Sequence, residues 1–222
     1  AIETSQEAAR RGAITGFGKD KAALDAAIAE RKAVSDPLYK AARAAGDVVD
    51  TAPVVASIDD LLAKNPGNRA LVSELTAIRK GLFDGDVPRT DAQQVASVLD
   101  DLKAALVKED NKFIRGHLND LKDAIANAIP GYQQAQSVFA KASVPVNQMQ
   151  IGQELEKSLV SPLGASERPA TFASAMQNAP RTIKRATGAP RFEQLSPPLT
   201  QQQEQSANAV LENLRQNAVY KD

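Results

Sequence analysis

The sequence predicts an all-α protein: an elongated multi-helix bundle with coiled-coil-like packing and no significant β-sheet. Three observations predict it. Apolar residues recur at steps of three and four along most of the 222 residues, which is the period of one helix face. Alternation at the strand period is nearly absent, since Val48-Val49 and Val144-Pro145-Val146 are too short and interrupted. Apolar content is 43% but aromatics are only 4%, so alanine supplies much of the apolar surface and the helices should be slim and closely packed.

Taken in order, Glu3 to Ile14 can be helical, and Gly12, Gly16 and Gly18 around Phe17 weaken any helix there, each by roughly 1 kcal/mol against alanine. Thr15 to Gly18 reads as a hinge. It is no nucleotide loop, because no strand precedes it and no third glycine partner follows. Lys19 to Ala45 is alanine-rich, with Leu24, Ala27, Val34, Leu38, Ala41 and Ala45 near heptad spacing. At Asp36-Pro37 either Asp36 caps a second, collinear helix with Pro37 at its first position, which is the preferred reading, or one long helix is kinked there. Gly46 ends it. Thr51 caps a helix with Pro53 just inside its start, carrying Val54, Val55, Ile58, Leu61 and Leu62 to a sharp stop at Asn65-Pro66-Gly67. Leu71, Leu75, Ile78 and Leu82 form the next stripe, to about Phe83, and Asp84 to Pro88 is a loop. Thr90 with Gln93 forms a capping box for a helix carrying Val95, Val98, Leu99, Leu102 and Leu106.

The next stripe organises the chain. Ile114, Leu118, Leu121, Ile125 and Ile129 line one face of a helix with Asp110 as its cap, and Pro130-Gly131 stops it. Tyr132, Ala135, Phe139, Ala142, Val146 and Met149 then give the narrow seam of a coiled-coil contact. Pro145 should kink or break that helix, and the stripe resumes at Ile151, Leu155 and Leu159. Beyond, Ser161 to Gly164 is a turn, Ser166 caps a short helix with Phe172 and Met176, and Pro180 starts another that Gly188-Ala189-Pro190 closes. Ser196-Pro197-Pro198 is a stiff connector. A second capping box, Thr200 with Gln203, opens a last helix with Ala207, Val210, Leu211, Leu214 and Ala218 inward. The organisation expected is an N-terminal helix and hinge over 1–18, a main bundle over 19–160, and short helices with a terminal amphipathic helix over 161–222.

Lysine plus arginine equals aspartate plus glutamate, 27 each, so no global charge steers the chain to nucleic acid or acidic lipid. The one asymmetry runs from Arg168 to Arg191. Arg168, Arg181, Lys184, Arg185 and Arg191 occur there without an acidic residue. They are the candidate contacts to a phosphate backbone or an acidic partner, although the preferred reading is a basic surface patch balancing acidic helices. The absence of interleaved aromatics argues against single-strand binding.

Chemistry is sparse. There is no cysteine and one histidine, His117, so thiolate metal sites and disulfides are excluded, and His117, beside Leu118 at the edge of the apolar stripe, reads as a boundary-packed or exposed side chain. Asp59-Asp60 and Asp100-Asp101 diverge by about 100° on a helix and make no acid–base couple. Asp84-x-Asp86 lacks the rest of a calcium loop. Glu74, Glu109 and Glu154 are available as catalytic acids, yet nothing around them singles one out. No catalytic residue, cofactor or metal is expected, and no run approaches the ~18 apolar residues of a membrane span.

Three stretches carry a resemblance: Q-S-V-F-A-K-A-S-V-P-V-N-Q-M (Gln136 to Met149), A-L-D-A-A-I-A-E-R-K-A-V-S-D-P-L-Y-K-A-A-R (Ala23 to Arg43) and A-P-R-T-I-K-R-A-T-G-A-P-R-F (Ala179 to Phe192). They resemble segments of the very long virion-associated proteins of tailed bacteriophages and prophages. The resemblance implies a helical segment of a structural or internal, DNA-ejection-type protein, and it favours a fragment of a longer chain over a mature product; the missing catalytic motifs add the expectation that the segment is non-enzymatic. Its partners would be other copies of itself and virion proteins near the portal and tail, with packaged DNA as a weak contact. It would be made in the host cytoplasm, reside in the virion and pass into the host envelope on delivery. The resemblance assigns no site residue. The alternative reading is a DNA-contacting helical module that uses the basic patch over 168–191.

Overall fold

Helical periodicity along the sequence becomes helix along the chain. The computed structural model describes residues 2–46, 48–161, 166–188, 194–195 and 198–219. The described elements are α1 (Ile2–Gly18), α2 (Lys21–Ala44), α3 (Ala52–Lys64), α4 (Arg69–Gly81), β1 (Phe83–Asp84), β2 (Val87–Pro88), α5 (Ala92–Lys108), α6 (Lys112–Ala128), α7 (Tyr132–Leu159), α8 (Pro169–Gln177), α9 (Ala179–Thr187) and α10 (Gln201–Val219). The protein is all-α. Its one sheet among the described residues is the two-stranded β1–β2 hairpin, which turns at Gly85 with φ 61° in the stretch expected to be a plain loop.

The chain divides into two units, 33–139 and 1–32 with 140–222, and the boundaries fall inside α2 and α7. This differs from the expected block over 19–160. The reason is that the second half of α7 shares a core with α1, α8, α9 and α10 rather than with α3 to α6.

In the 33–139 unit, the central stripe is the core of α6: Ile114, Leu118, Leu121, Ile125 and Ile129 are all 3% exposed or less. They pack with Leu71, Leu75 and Ile78 of α4, Val54 and Ile58 of α3, and Val95, Leu99 and Leu102 of α5. Burying one such side chain contributes about 1.5–3 kcal/mol. Gly131, at φ 76°, makes the turn into α7. Tyr132 is fully buried and stacks edge-on against Tyr39 at 5.0 Å.

In the other unit, Ile151, Leu155 and Leu159 of α7 gather Ile14 and Phe17 of α1, Phe172 of α8, Ile183 of α9 and Val210, Leu211 and Leu214 of α10. A buried ion pair sits beside this core. The Arg10 guanidinium donates to both Glu167 carboxylate oxygens, at 2.5 Å from Nη2, and to Asn213 Oδ1 at 2.6 Å. Both charged side chains are under 10% exposed. The arrangement ties α1, the segment before α8 and α10 together.

Several local expectations change. α1 runs through Gly16 and Gly18 without a hinge. Gly18 meets Gly152 of α7, where a Cβ on Gly152 would lie 2.4 Å from the Gly18 Cα; glycine serves close approach there, not bending. The chain turns one residue later, at Lys19 with φ 51°, where the Gln153 side-chain amide donates to the Gly18 and Asp20 carbonyls. α2 and α7 continue through Pro37 and Pro145 instead of breaking. Proline removes one hydrogen bond per site, and packing on either side, at Ser35 and Ala42 in α2 and at Ser143 and Val146 in α7, holds each helix in register. The α7 seam is buried at Tyr132, Ala135 and Val146, while Phe139 is 39% exposed.

Caps move by a residue or two. Asn111, not Asp110, accepts from the Phe113 and Ile114 amides. Asp91, not Thr90, caps α5 through the Gln94 amide. Arg168 rather than Ser166 precedes α8. Thr51 stands at the α3 N-cap but donates instead to the Arg89 carbonyl. The Thr200–Gln203 box forms in both directions, at 2.9 and 3.2 Å. Ala207, Val210, Leu211 and Leu214 face the core, and the Ala218 side chain lies outside the described residues, as do Pro162 to Gly164, Ala189-Pro190 and Ser196-Pro197 of the expected turns and connector.

Candidate functional site

The basic stretch is built on α9, and its geometry begins with capping. The Asn178 side chain accepts from the Arg181 amide, Pro180 occupies the first turn, and Gly188 closes the helix in the left-handed conformation at φ 72°. These choices fix a nine-residue helix, a length that is marginal on its own. Its rear face is anchored: Ala179, Thr182 and Ile183 are buried, and the Thr182 hydroxyl donates to the Ala175 carbonyl of α8 at 2.7 Å.

The helical period then decides where the cations go. Arg181, Lys184 and Arg185 stand at i, i+3 and i+4, so they share the face opposite Ile183, and all three are exposed. Lys184 and Arg185 lie in the last turn, where the helix dipole favours positive charge by about 0.3–1 kcal/mol. Arg181 and Lys184 form no ion pair among the described residues. Arg185 Nε reaches Glu154 Oε1 of α7 at 3.2 Å; the arginine side chain stays 63% exposed while the glutamate is 12% exposed.

The remaining basic candidates behave differently. Arg168 is half-buried and its Nη2 donates to the Lys157 carbonyl near the end of α7, while its buried Nε has no hydrogen-bond partner. The backbone there is pinned by the Arg168 amide donating to the Leu159 carbonyl at 2.8 Å and by the Val160–Glu167 bridge. Arg168 and Arg185 thus dock on neighbouring turns of α7, at Lys157 and Glu154. Arg191 lies outside the described residues. The structure therefore joins Arg181, Lys184 and Arg185 on one face and uses Arg168 as a structural tether. Glu154 as the residue orienting Arg185 has no signal in the sequence, because the contact joins helices far apart along the chain.

The other ionisable candidates are dispersed or engaged. Asp59 pairs with Arg79 and Asp60 with Lys64. Asp100 holds Arg43 at 2.6 Å and Lys103 at 3.4 Å, and Lys103 donates to the Tyr132 hydroxyl at 2.6 Å. Burial, and secondarily Tyr132, pushes the Tyr39 phenol above its usual value. His117 is half-buried against Phe113, edge-on at 4.6 Å. Glu109 accepts from the Asn111 amide at 2.7 Å, and Glu74 lies half-buried on α4. Among the described residues no group of three or more His, Cys, Asp or Glu side chains could hold a metal ion, and no helix is long and apolar enough to cross a membrane. Comparison with protein-family models, curated proteins and solved structures finds no match to the chain.

Proposed function

We propose that this chain is a non-enzymatic structural and interaction module of a tailed-phage particle, part of an internal or ejection-type protein that assembles near the portal and tail for genome delivery. The observation that carries the reading is the resemblance of Ala23–Arg43, Gln136–Met149 and Ala179–Phe192, in that order along most of the chain, to virion-associated phage proteins. The physical organisation agrees with it. The acidic residues that could serve catalysis are spent in caps and pairs, or stand alone on separate helices.

Mass spectrometry of purified particles, before and after triggered DNA release, tests the reading. The protein should be present in several copies in genome-filled particles and depleted from emptied ones. Its absence from washed, genome-filled particles would overturn the proposal.

A further inference from the structure

We infer that the α9 face formed by Arg181, Lys184 and Arg185 binds the phosphate backbone of duplex DNA without reading its sequence. From Arg181 to Arg185 the three positions extend over four residue steps, about 6 Å of helix axis. Each strand of duplex DNA carries one negative charge per about 3.4 Å of axis, so the strand laid against α9 offers about two phosphates over that distance, and the long arginine and lysine side chains reach the next one. Arg181 and Lys184 break no ion pair among the described residues to make that contact. Arg185 is steadied by Glu154 while most of its side chain stays exposed, so less rotamer freedom is lost when it engages an anion.

Three further features fit this ligand. The helix itself is fixed, through buried Thr182 and Ile183 and through both caps. No acidic residue occurs from Arg168 to Gly188, and the preceding surface supplies exposed neutral hydrogen-bonding groups at Ser174, Gln177 and Asn178. Among the described residues α9 carries no aromatic side chain, so it gives unpaired bases no platform for stacking and the paired backbone is the better ligand. Contacts of this kind position a duplex but carry no base information. The inference goes beyond the particle reading and does not depend on it.

Anisotropy of a labelled, random-sequence duplex, titrated with the whole chain across a salt series, tests it. With three phosphates neutralised, log K should fall against log salt with a slope of about −2.7, or about 40-fold between about 50 and 200 mM salt. R181E/K184E should weaken binding at low salt at least ~10-fold and reduce the slope by about 2 units. K80E/K108E, which reverses two exposed lysines of the 33–139 unit, should leave both unchanged. Circular dichroism melts establish that each variant is folded. No binding at low salt, an unchanged slope in R181E/K184E, an equal loss in K80E/K108E, or tighter binding to single strands would each overturn the inference. Because this assay uses isolated protein, its failure leaves the particle test untouched, and the reverse also holds.

Discussion

The Gly18–Gly152 crossing predicts that one substitution has opposite effects at two sites in the same unit. A methyl group on Gly152 would lie 2.4 Å from the Gly18 Cα, 2.6 Å from its nitrogen and 2.9 Å from Phe17 Cδ2. Carbon atoms rest at about 3.5–4.0 Å, so α1 and α7 must part locally by about 1 Å. The first two clashes are with backbone, which cannot rotate away. Overpacking of this kind costs about 1–3 kcal/mol. It is offset by at most about 1 kcal/mol of helix propensity gained on replacing glycine. With clashes of 2.4 and 2.6 Å against backbone the cost belongs in the upper part of the overpacking range, about 2–3 kcal/mol, so Gly152→Ala should destabilise by about 1–2 kcal/mol.

Gly16→Ala is the matched control. Gly16 lies in α1 two residues from the crossing, is exposed, and an added Cβ would meet nothing within 4 Å. Only the propensity term applies, so this variant should be more stable by up to about 1 kcal/mol. Urea unfolding followed by circular dichroism measures both, with hydrogen exchange of α1 and α7 amides reporting on the unit concerned. A neutral or stabilising Gly152→Ala, or a destabilising Gly16→Ala, would refute the reasoning that glycine is placed here for close approach.

Other outcomes follow from the same coordinates. Glu167→Gln leaves the buried Arg10 guanidinium without its counter-charge and should cost about 3–5 kcal/mol; a loss under 1 kcal/mol in denaturant titration would show that the pair is not desolvated. Asn111→Ala should cost about 1 kcal/mol through the lost cap, whereas Asp110→Ala should stay within about 0.5 kcal/mol, and a reversed order in thermal melts would return the cap to Asp110. Tyr39 has its ionisation raised above 10.0 by burial, so in this pH range the unfolded chain loses the proton first. Stability of the 33–139 unit should be fully present below pH 10.0 and decline as pH rises through the folded value. Tyr39→Phe should flatten that alkaline decline, and an identical decline in the variant would assign it elsewhere.

Much of the fold is legible in residue order because its signals are local. The five apolar positions from Ile114 to Ile129 lie on one helix face by period alone, and all five are buried. Asn65-Pro66-Gly67, Pro130-Gly131 and Gly188 stop helices through backbone chemistry that needs no distant partner. The same holds for Thr200 and Gln203, which satisfy each other across one turn. Arg181, Lys184 and Arg185 share a face for the same periodic reason. What stays open at this level is any choice in which a local preference competes with packing. Pro37 and Pro145 read as a break or a kink because proline removes a local hydrogen bond, and α2 and α7 run through both as single helices.

Sequence by itself thus determined the helical class, most helix stops, the basic face of α9 and the buried stripes of α4, α5, α6 and α10, but not that of α2, where Ser35 and Ala42 are buried while Val34 and Ala41 of the expected seam are exposed. Tertiary structure alone decided that Gly18 answers Gly152, that Arg10 meets Glu167 and Asn213, that Glu154 orients Arg185 while Arg168 is tied to Lys157, and that the chain divides inside α2 and α7. The reason lies in range. Periodicity and capping act over one or two turns, whereas close approach, buried charge and the sharing of a core are set by residues brought together from more than a hundred positions away.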